Sequence, residues 1–412
     1  MLDASSHEIV DHYHTTRKVL GELGADEKRV IIVLNKVDRV SDPVSLSLGD
    51  GGKGLGSKRV IDYENLPEQR VPRNAQPLFN LGAKQFKTLF HDGRVQVDLS
   101  RPSGLRTPLE EEMVEGFSSI ISAQTMFPVL SADEMAGHYS ENEISEAVRR
   151  GTLTGKGGAW DLISKRVQAI PEYSDFFIDT YDHIETAQDI KFTDISNAVA
   201  AFMEFEWRSD TSPFDDFLQG RLDLAISQEK GMELFYGKAN CSSCHAGALF
   251  TDHQFHATGQ PQVGPGKAAR FQSHSRDLGR FRVTGNIKDK YAFRTPSLRN
   301  VELTGPWGHA GAYSNLEAFV YAHLNPYLAL SNYDKSNVTL TKYDANDWKI
   351  MDNANEVKAI ADSITIKPVI ISDGEVTDLL AFLGTLTDIK AQKGRLGIPE
   401  TVPSGLEIPN PQ

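Results

Sequence analysis

The feature that most constrains this chain is the pentapeptide CSSCH, in which Cys241 and Cys244 stand three residues apart and His245 follows directly. These are the only two cysteines among 412 residues. The spacing C-x-x-C-H is the attachment signature of c-type haem. Two thiols at this spacing can each add to a vinyl group on one porphyrin edge, and the next residue can then supply an imidazole nitrogen to the iron. The motif therefore predicts one covalently bound haem c.

Three other uses of two cysteines stay open at this point. A thioredoxin-like redox pair would require a βαβ context, and the sequence around the motif does not show one. A structural zinc site needs four ligands, and only His253 and His256 lie near enough in sequence to complete it. A buried pair of cysteines without a cofactor is the remaining alternative.

Composition and charge narrow the class of protein. The chain is 40% hydrophobic and 24% charged, which is ordinary for a globular protein, and no apolar run approaches the length of a membrane span. A formal net charge of −13 argues against a phosphate-binding surface, so nucleic acid is not an expected partner. A basic protein or a small molecule fits better. The first residues, MLDASSHEIVDHY, do not have the pattern of a signal peptide.

The beginning of the chain differs in character from the rest. Residues 7–24 carry apolar positions at helical spacing, and the run from Val30 to Leu34 is typical of a buried strand, so residues 1–43 are predicted to be a short α/β fragment. Residues 41–57 are rich in glycine and serine and indicate a loop or linker. From about residue 58 the pattern is mainly α, with amphipathic segments near 109–123, 142–150, 159–168, 191–206 and 222–236.

The clearest helix is predicted near the C-terminus. Ser372 and Glu375 have the spacing of a capping box, and one apolar face follows at Val376, Leu379, Leu380 and Leu383. The polar segment 327–371 is predicted to be an irregular insertion. The proline-rich tail, 396–412, is predicted to be loosely ordered.

Five motifs in order make residues 44 to about 390 resemble the bacterial di-haem cytochrome c peroxidase and MauG family. They are VPRNAQPLFN (71–80), LFHDGR (89–94), FPVLSADEMAG (127–137), FYGKANCSSCHAGALFTD (235–252) and FRTPSLRNVELTGPWGHAGAYSNLEAFV (293–320). The resemblance implies cytochrome c-like domains: a truncated N-terminal peroxidase domain over 44–215, without its own C-x-x-C-H, and a complete C-terminal cytochrome c domain with the covalent haem over 216–395.

The resemblance also implies the ligands of the haem iron. Cys241 and Cys244 match the thioether positions and His245 the proximal ligand. The family's distal ligand lies fourteen residues beyond the position of His309, and it is methionine in the peroxidases and tyrosine in MauG. Here that position is His323. Bis-histidine ligation by His245 and His323 is therefore expected, with Tyr321 as the competing ligand and a solvated histidine as the structural alternative.

Two further sites follow from the resemblance alone. The calcium ion of these peroxidases would be held here by Asn74 and by the carbonyl oxygens of Thr304 and Pro306, oxygen ligands of the kind that calcium prefers. Glu134 matches the acid–base carboxylate beside the family's peroxide-reducing iron. The alternatives are an asparagine and a turn that satisfy the backbone, and a surface glutamate.

The family's first haem, where peroxide is reduced, has no counterpart motif in this sequence. Residues 1–40 instead resemble the late part of an HflX-type GTPase domain, with Asn35, Lys36 and Asp38 at the positions of N-K-x-D. GTP binding is not expected, because the phosphate-binding G-x-x-x-x-G-K-[ST] loop is absent.

The resemblance implies two functions in competition. One is an electron-transfer protein or partial peroxidase, which takes electrons from a small cytochrome or copper protein and, in the intact family, reduces hydrogen peroxide. The other is a non-catalytic haem module or sensor. Direct peroxide turnover is expected to be weak, because the first haem is missing. The family resemblance implies a periplasmic location, which conflicts with the absence of a signal-peptide pattern in the first residues. A homodimer is also expected, because members of the family often form dimers.

Overall fold

The structure is a computed structural model that describes residues 44–53, 60–138, 141–268, 272–396, 399 and 401–406. The predicted α/β fragment, with its GTPase-like residues Asn35, Lys36 and Asp38, lies outside the described residues, as does part of the predicted tail. Within the described part, helices dominate and strands are only two or three residues long. The mainly α fold class is therefore confirmed for residues beyond 43.

The helices of the N-terminal half are α1 (Ile120–Gln124), α2 (Glu143–Arg150), α3 (Ala159–Gln168), α4 (Pro171–Thr180), α5 (Phe192–Glu206) and α6 (Pro213–Leu218). Those of the C-terminal half are α7 (Ile226–Tyr236), α8 (Phe281–Thr284), α9 (Leu316–Leu324), α10 (Pro326–Ser331), α11 (Ala354–Ala361), α12 (Asp373–Gly384) and α13 (Ile389–Lys393). The amphipathic segments near 142–150, 159–168, 191–206 and 222–236 correspond to α2, α3, α5 and α7. Segment 109–123 is mostly not α-helical, since α1 begins only at Ile120.

Three small antiparallel sheets accompany the helices. They are formed by β1 (Gly52–Lys53) with β2 (Val60–Ile61), by β3 (Thr88–Leu89), β4 (Val95–Val97) and β5 (Leu105–Arg106) in that order, and by β6 (Phe255–His256) with β7 (Phe293–Arg294). In the last sheet, His256 is paired with Phe293. The sequence showed no convincing strand pattern, because two residues are too few for an alternation of apolar and polar side chains to be visible.

The core of the C-terminal half is built on α7 and α12. The predicted capping box at the start of α12 is present: the amide of Ser372 donates to Glu375 (2.7 Å) and the amide of Glu375 donates to the Ser372 hydroxyl (3.3 Å). The predicted apolar face is buried at Val376, Leu379 and Leu383 and partly buried at Leu380. This face packs with Phe214, Phe235, Phe250 and Leu324 into one cluster.

Buried ion pairs join the two halves of the chain. The Arg73 guanidinium contacts Asp277 (2.6 Å) and Asp92 (2.8 Å), and all three side chains are nearly inaccessible to solvent. Burial alone would raise the pKa of Asp277, but the Arg73 guanidinium holds it well below the usual range. Arg70 forms a second buried pair with Asp347 at 3.0 Å. The pairs Arg73–Asp277 and Arg70–Asp347 link residues far apart in sequence, so buried charges that are little screened by water hold the two halves together.

Segment 327–371 is more regular than the sequence indicated. It contains most of α10 and all of α11, and it contributes Leu330, Ile350 and Ile360 to a buried cluster with Tyr291. The prediction of an irregular segment was wrong here, because a few apolar residues far apart in sequence meet only in the folded chain. No helix in the described ranges is both long enough and apolar enough to cross a membrane.

Candidate haem site

The CSSCH motif forms a compact loop directly after α7. A short 3-10 helix covers Cys241–Ser243, and the amide of His245 donates to the carbonyl of Cys241 at 2.9 Å. The amide of Asp252 donates to the carbonyl of Cys244 at 2.7 Å and closes the loop. The backbone therefore holds both sulfurs and the imidazole at one end of the C-terminal core.

The two thiols have different surroundings. Cys241 is half-buried against the apolar cluster of the C-terminal half, and burial raises the pKa of its thiol to about 12. Cys244 is also half-buried, and a hydrogen bond from His256 lowers the pKa of its thiol. Both sulfurs are free, as attachment to a porphyrin edge requires.

His245 presents one ring nitrogen for ligation. Its Nδ1 lies 3.0 Å from the carbonyl oxygen of Phe250, and because a carbonyl can only accept, Nδ1 carries the proton. Its Nε2 is then left with a lone pair, the usual arrangement of a metal-binding histidine. Burial lowers the pKa of His245 to about 4, so the imidazole is neutral at ordinary pH.

His323 repeats this arrangement in the last turn of α9. Its Nδ1 lies 3.0 Å from the carbonyl oxygen of Phe319, which again leaves Nε2 as the acceptor, and burial lowers the pKa of the ring. The charge of His323 is also among the causes that lower the pKa of His245, so the two rings lie within electrostatic reach. The competing residue, Tyr321, instead donates its hydroxyl to Asp373 at 2.6 Å on an exposed face.

These four residues fit a haem c by their chemistry. Two free thiols with C-x-x-C spacing could form thioethers with two vinyl groups, and two imidazoles with Nδ1 fixed by backbone carbonyls could each offer Nε2 to a haem iron. The alternative of a structural zinc site has fewer suitably placed ligands among the described residues. Cys244, Asp252 and His256 place ligand atoms within 4.8 Å of one another, but Cys241 is not part of that group. No βαβ unit of the thioredoxin kind surrounds the motif in the described ranges.

Glu134 lies in a different place, at a large cavity that is lined by residues of both halves of the chain. It belongs to a single π-helical turn, Ala132–Ala136, and lines a cavity of about 1130 Å³. No cysteine lines this cavity, since Cys241 and Cys244 both belong to the motif loop. Glu134 and the four haem-site residues are therefore not brought together.

The expected calcium ligands are near neighbours. The buried amide of Asn74 lies 2.5 Å from the carbonyl oxygen of Pro306, with its nitrogen turned toward that oxygen. Asn74 and Thr304 line the same cavity. An amide oxygen and two carbonyls are neutral donors of the kind that calcium accepts, and the set contains no carboxylate. In this structure the Asn74 amide presents its nitrogen to Pro306, so binding of calcium would require the amide to turn its oxygen toward the ion.

The carbonyls of Phe250 and Phe319 were missed from the sequence, because backbone acceptors leave no residue-type signal. Lys267 was missed as well. It lines the cavity near Glu134, and a single lysine in a glycine-rich loop gives no indication of such a position.

The fold and the motif loop define a mainly α protein with cytochrome c-like domains. The family model described as di-haem cytochrome c peroxidase matches residues 43–223. Cytochrome c551 peroxidase of Pseudomonas aeruginosa is 33% identical over 270 residues, which cover 60% of this chain and 73% of that protein. The chain belongs to the di-haem cytochrome c peroxidase family.

Other relatives are matched over a smaller share of their length. Methylamine utilization protein MauG of Methylorubrum extorquens is 28% identical over 289 residues, which cover 69% of this chain and 62% of MauG. Cytochrome-c peroxidase IdrP1 of Pseudomonas sp. is 30% identical over 225 residues, which cover 48% of this chain and 58% of IdrP1. The chain thus spans about three fifths of the length of these two curated relatives.

Solved structures share the fold. A MauG-like protein associated with microbial copper homeostasis gives a TM-score of 0.53 at 23% identity, over 86% of this chain and 82% of that one. The di-haem peroxidase BthA of Burkholderia thailandensis gives a TM-score of 0.50 at 19% identity, over 92% of this chain and 90% of BthA. Both agree with the cytochrome c-like fold expected from the sequence.

Proposed function

We propose that this chain is a c-type haem electron-transfer protein with one covalent haem, attached at Cys241 and Cys244 and ligated by His245 and His323. The observation that carries the proposal is the matched pair of imidazoles, each with Nδ1 bonded to a backbone carbonyl and Nε2 left as an acceptor. When bound, the haem would supply one-electron redox chemistry. The protein would supply the attachment, the fixed orientation of both rings and a largely apolar surrounding.

Ligation of the haem iron by both histidines would favour electron transfer over turnover of a small molecule, because it would leave the iron no open position. Both histidines are fixed by the chain itself, one in the motif loop and one in the last turn of α9, so neither leaves the site without breaking a backbone contact. Histidine at the position where the family's peroxidases have methionine should also lower the haem midpoint potential, since Met/His ligation raises it.

Peroxide reduction is the family activity, and we propose that it is weak or lost in this chain. By resemblance, Glu134 marks the place of the first haem, and the cavity beside it contains no cysteine to which a haem could be attached. Glu134 could still move a proton within the cavity. The competing hypothesis is that the chain is a partial peroxidase and retains some peroxide turnover.

The partner, location and assembly are carried over from the family. A small cytochrome or copper protein would deliver electrons near the motif, where residues 246–248 are exposed. Periplasmic location is proposed because covalent haem attachment in bacteria takes place outside the cytoplasm, and a homodimer is proposed on family grounds alone. The domain limits 44–215 and 216–395, with the tail 396–412, are part of the same proposal.

We also propose a calcium ion bound by Asn74, Thr304 and Pro306. The family resemblance supports it, together with the proximity of Asn74 to Pro306, and the ion would replace the hydrogen bond that the Asn74 amide now donates to the Pro306 carbonyl. Chelation of a calcium-loaded sample should lower the midpoint of thermal unfolding in the native protein. Chelation should have no effect in the variant Asn74→Ala, and an equal effect in both proteins would contradict this ligand.

The central test uses the full chain matured in a periplasm with the haem attachment machinery. A pyridine haemochrome spectrum should give one haem per chain, and the absorption spectrum should be that of six-coordinate, low-spin iron. The variant His323→Ala should become high-spin, while His274→Ala, a histidine outside the site, should not change. Two haems per chain, or a high-spin spectrum in the native protein, would contradict the proposal. Fast peroxide turnover with a reduced donor would favour the partial peroxidase.

A further inference from the structure

The cavity beside Glu134 is large enough to hold a ligand of its own. Its volume of about 1130 Å³ slightly exceeds the usual range of about 300–1,000 Å³ for small-molecule sites. Much of its wall is aromatic or aliphatic, including Phe90, Phe127, Phe192, Val199, Met203 and Trp207. Such a wall would favour an apolar ligand and would exclude water from a polar group held inside.

Two lysines line this cavity, and they differ in what their ammonium groups contact. Lys267 lines it, and among the described residues its ammonium group takes part in no hydrogen bond or ion pair. Lys349 also lines the cavity but differs, because its ammonium donates to the carbonyl of Ser273 at 3.4 Å and the pair is exposed. The two lysines therefore form a natural comparison within one cavity.

Of the two carboxylates that attract the Lys267 ammonium, Glu134 and Asp92, the second is already engaged elsewhere. Asp92 contacts Arg73 at 2.8 Å and Arg94 at 3.0 Å. Burial, together with the positive charges of Arg94 and Arg73, lowers the pKa of Lys267 to about 8, although Glu134 and Asp92 act in the opposite direction. At neutral pH the Lys267 side chain is therefore a neutral amine far more often than an ordinary lysine is.

A neutral, desolvated lysine amine next to cationic groups is a nucleophile toward carbonyl carbon. We propose that this cavity binds an apolar aldehyde or ketone and holds it as an imine on Lys267. The Nζ atom adds to the carbonyl carbon, the carbonyl oxygen takes up protons, and water leaves as the carbon–nitrogen double bond forms. No oxidant or reductant is consumed.

The cavity also contains groups that could carry the protons. The carboxyls of Asp133 and Glu134 both line it, and burial raises the pKa of Asp133. A carboxyl at this position can take up the proton that the nitrogen releases and return it to the departing hydroxyl group, and so assist the loss of water. The inference does not depend on the haem of the motif loop, because neither Lys267 nor these carboxyls belongs to that site.

The test uses the mature full chain with 2-naphthaldehyde and benzaldehyde as probes. Sodium cyanoborohydride reduces an imine to a stable secondary amine, and peptide mass spectrometry then locates it. At pH 8 a lysine with a pKa near 8 is neutral roughly a hundredfold more often than an ordinary lysine, so labelling of Lys267 should exceed that of surface lysines by at least about tenfold. Its labelling should rise as pH rises through about 8.

Two variants decide the assignment. Lys267→Arg keeps the positive charge but cannot form the imine, so the preferred label should disappear, while Lys349→Arg should keep it. An unchanged haem spectrum and circular dichroism spectrum would show that Lys267→Arg is folded. Labelling spread evenly over surface lysines, or no label on Lys267 with either aldehyde, overturns the proposal. Because the readout is a peptide mass, it is separate from the haem count and from peroxide turnover.

Discussion

The contact between α7 and α12 makes Gly231 the position at which one added methyl group should do most harm. A Cβ atom built on Gly231 would lie 1.9 Å from the carbonyl oxygen of Asp378 and 2.8 Å from the Cβ of Phe382. Both obstacles are at or next to the backbone of α12 and cannot rotate away. The variant Gly231→Ala must therefore move the two helices apart by at least about 1 Å, against the close packing of a protein core.

The expected cost follows from what this separation disturbs. Phe235 on α7 and Phe382 on α12 are almost fully buried, with ring centroids 5.2 Å apart, and both belong to the C-terminal core. Overpacking of a core typically costs about 1–3 kcal/mol, and a clash with a backbone carbonyl belongs at the upper end. We expect Gly231→Ala to lower the free energy of unfolding of this half by about 3 kcal/mol.

The assay is urea unfolding of the mature protein, followed by circular dichroism and by haem absorbance. Gly374 is the control, because it lies in the first turn of α12 and a Cβ built there meets nothing within 4 Å. Gly374→Ala should stabilise by up to about 1 kcal/mol, the helix-propensity difference between the two residues. If Gly231→Ala costs less than about 0.5 kcal/mol, or stabilises as the control does, the argument from helix contact is wrong.

Three further predictions concern the haem ligand and the buried charges. His323→Met should raise the haem midpoint potential in a spectroelectrochemical titration, because Met/His ligation raises it; an unchanged potential would exclude His323 as a ligand. Arg73→Met leaves Asp277 buried and unpaired, and it should lower the free energy of unfolding in urea by about 3–5 kcal/mol. Arg276→Gln removes an exposed ion pair and should lower it by less than about 1 kcal/mol. Equal losses in the two variants would refute the distinction between buried and exposed pairs. Burial alone would raise the pKa of Asp277, but Arg73 holds it below the usual range, so its stabilising contribution is complete above the ordinary carboxyl pKa of about 4 and is lost as pH falls below it. Asp277→Asn should therefore flatten the fall in unfolding free energy between about pH 4 and pH 2, and an unchanged slope would count against this role.

Local sequence signals predicted the elements whose residues lie close together along the chain. The capping box of Ser372 and Glu375 and the apolar face that follows specify α12 within a dozen residues, and the structure confirms both. The strands of two or three residues and the mostly non-helical segment 109–123 were beyond such reasoning. Their conformation depends on partners elsewhere in the chain rather than on local periodicity.

The candidate site divides in the same way. The sequence by itself determined the chemistry of the motif loop, because C-x-x-C-H places two thiols and an imidazole within five residues, and the family motifs pointed to His323. Only the tertiary structure decided the surroundings: the carbonyl that fixes each ring, the turn of Tyr321 toward Asp373, and the position of Lys267 in the cavity. These depend on contacts between distant segments and on burial, and both arise only when the whole chain has packed.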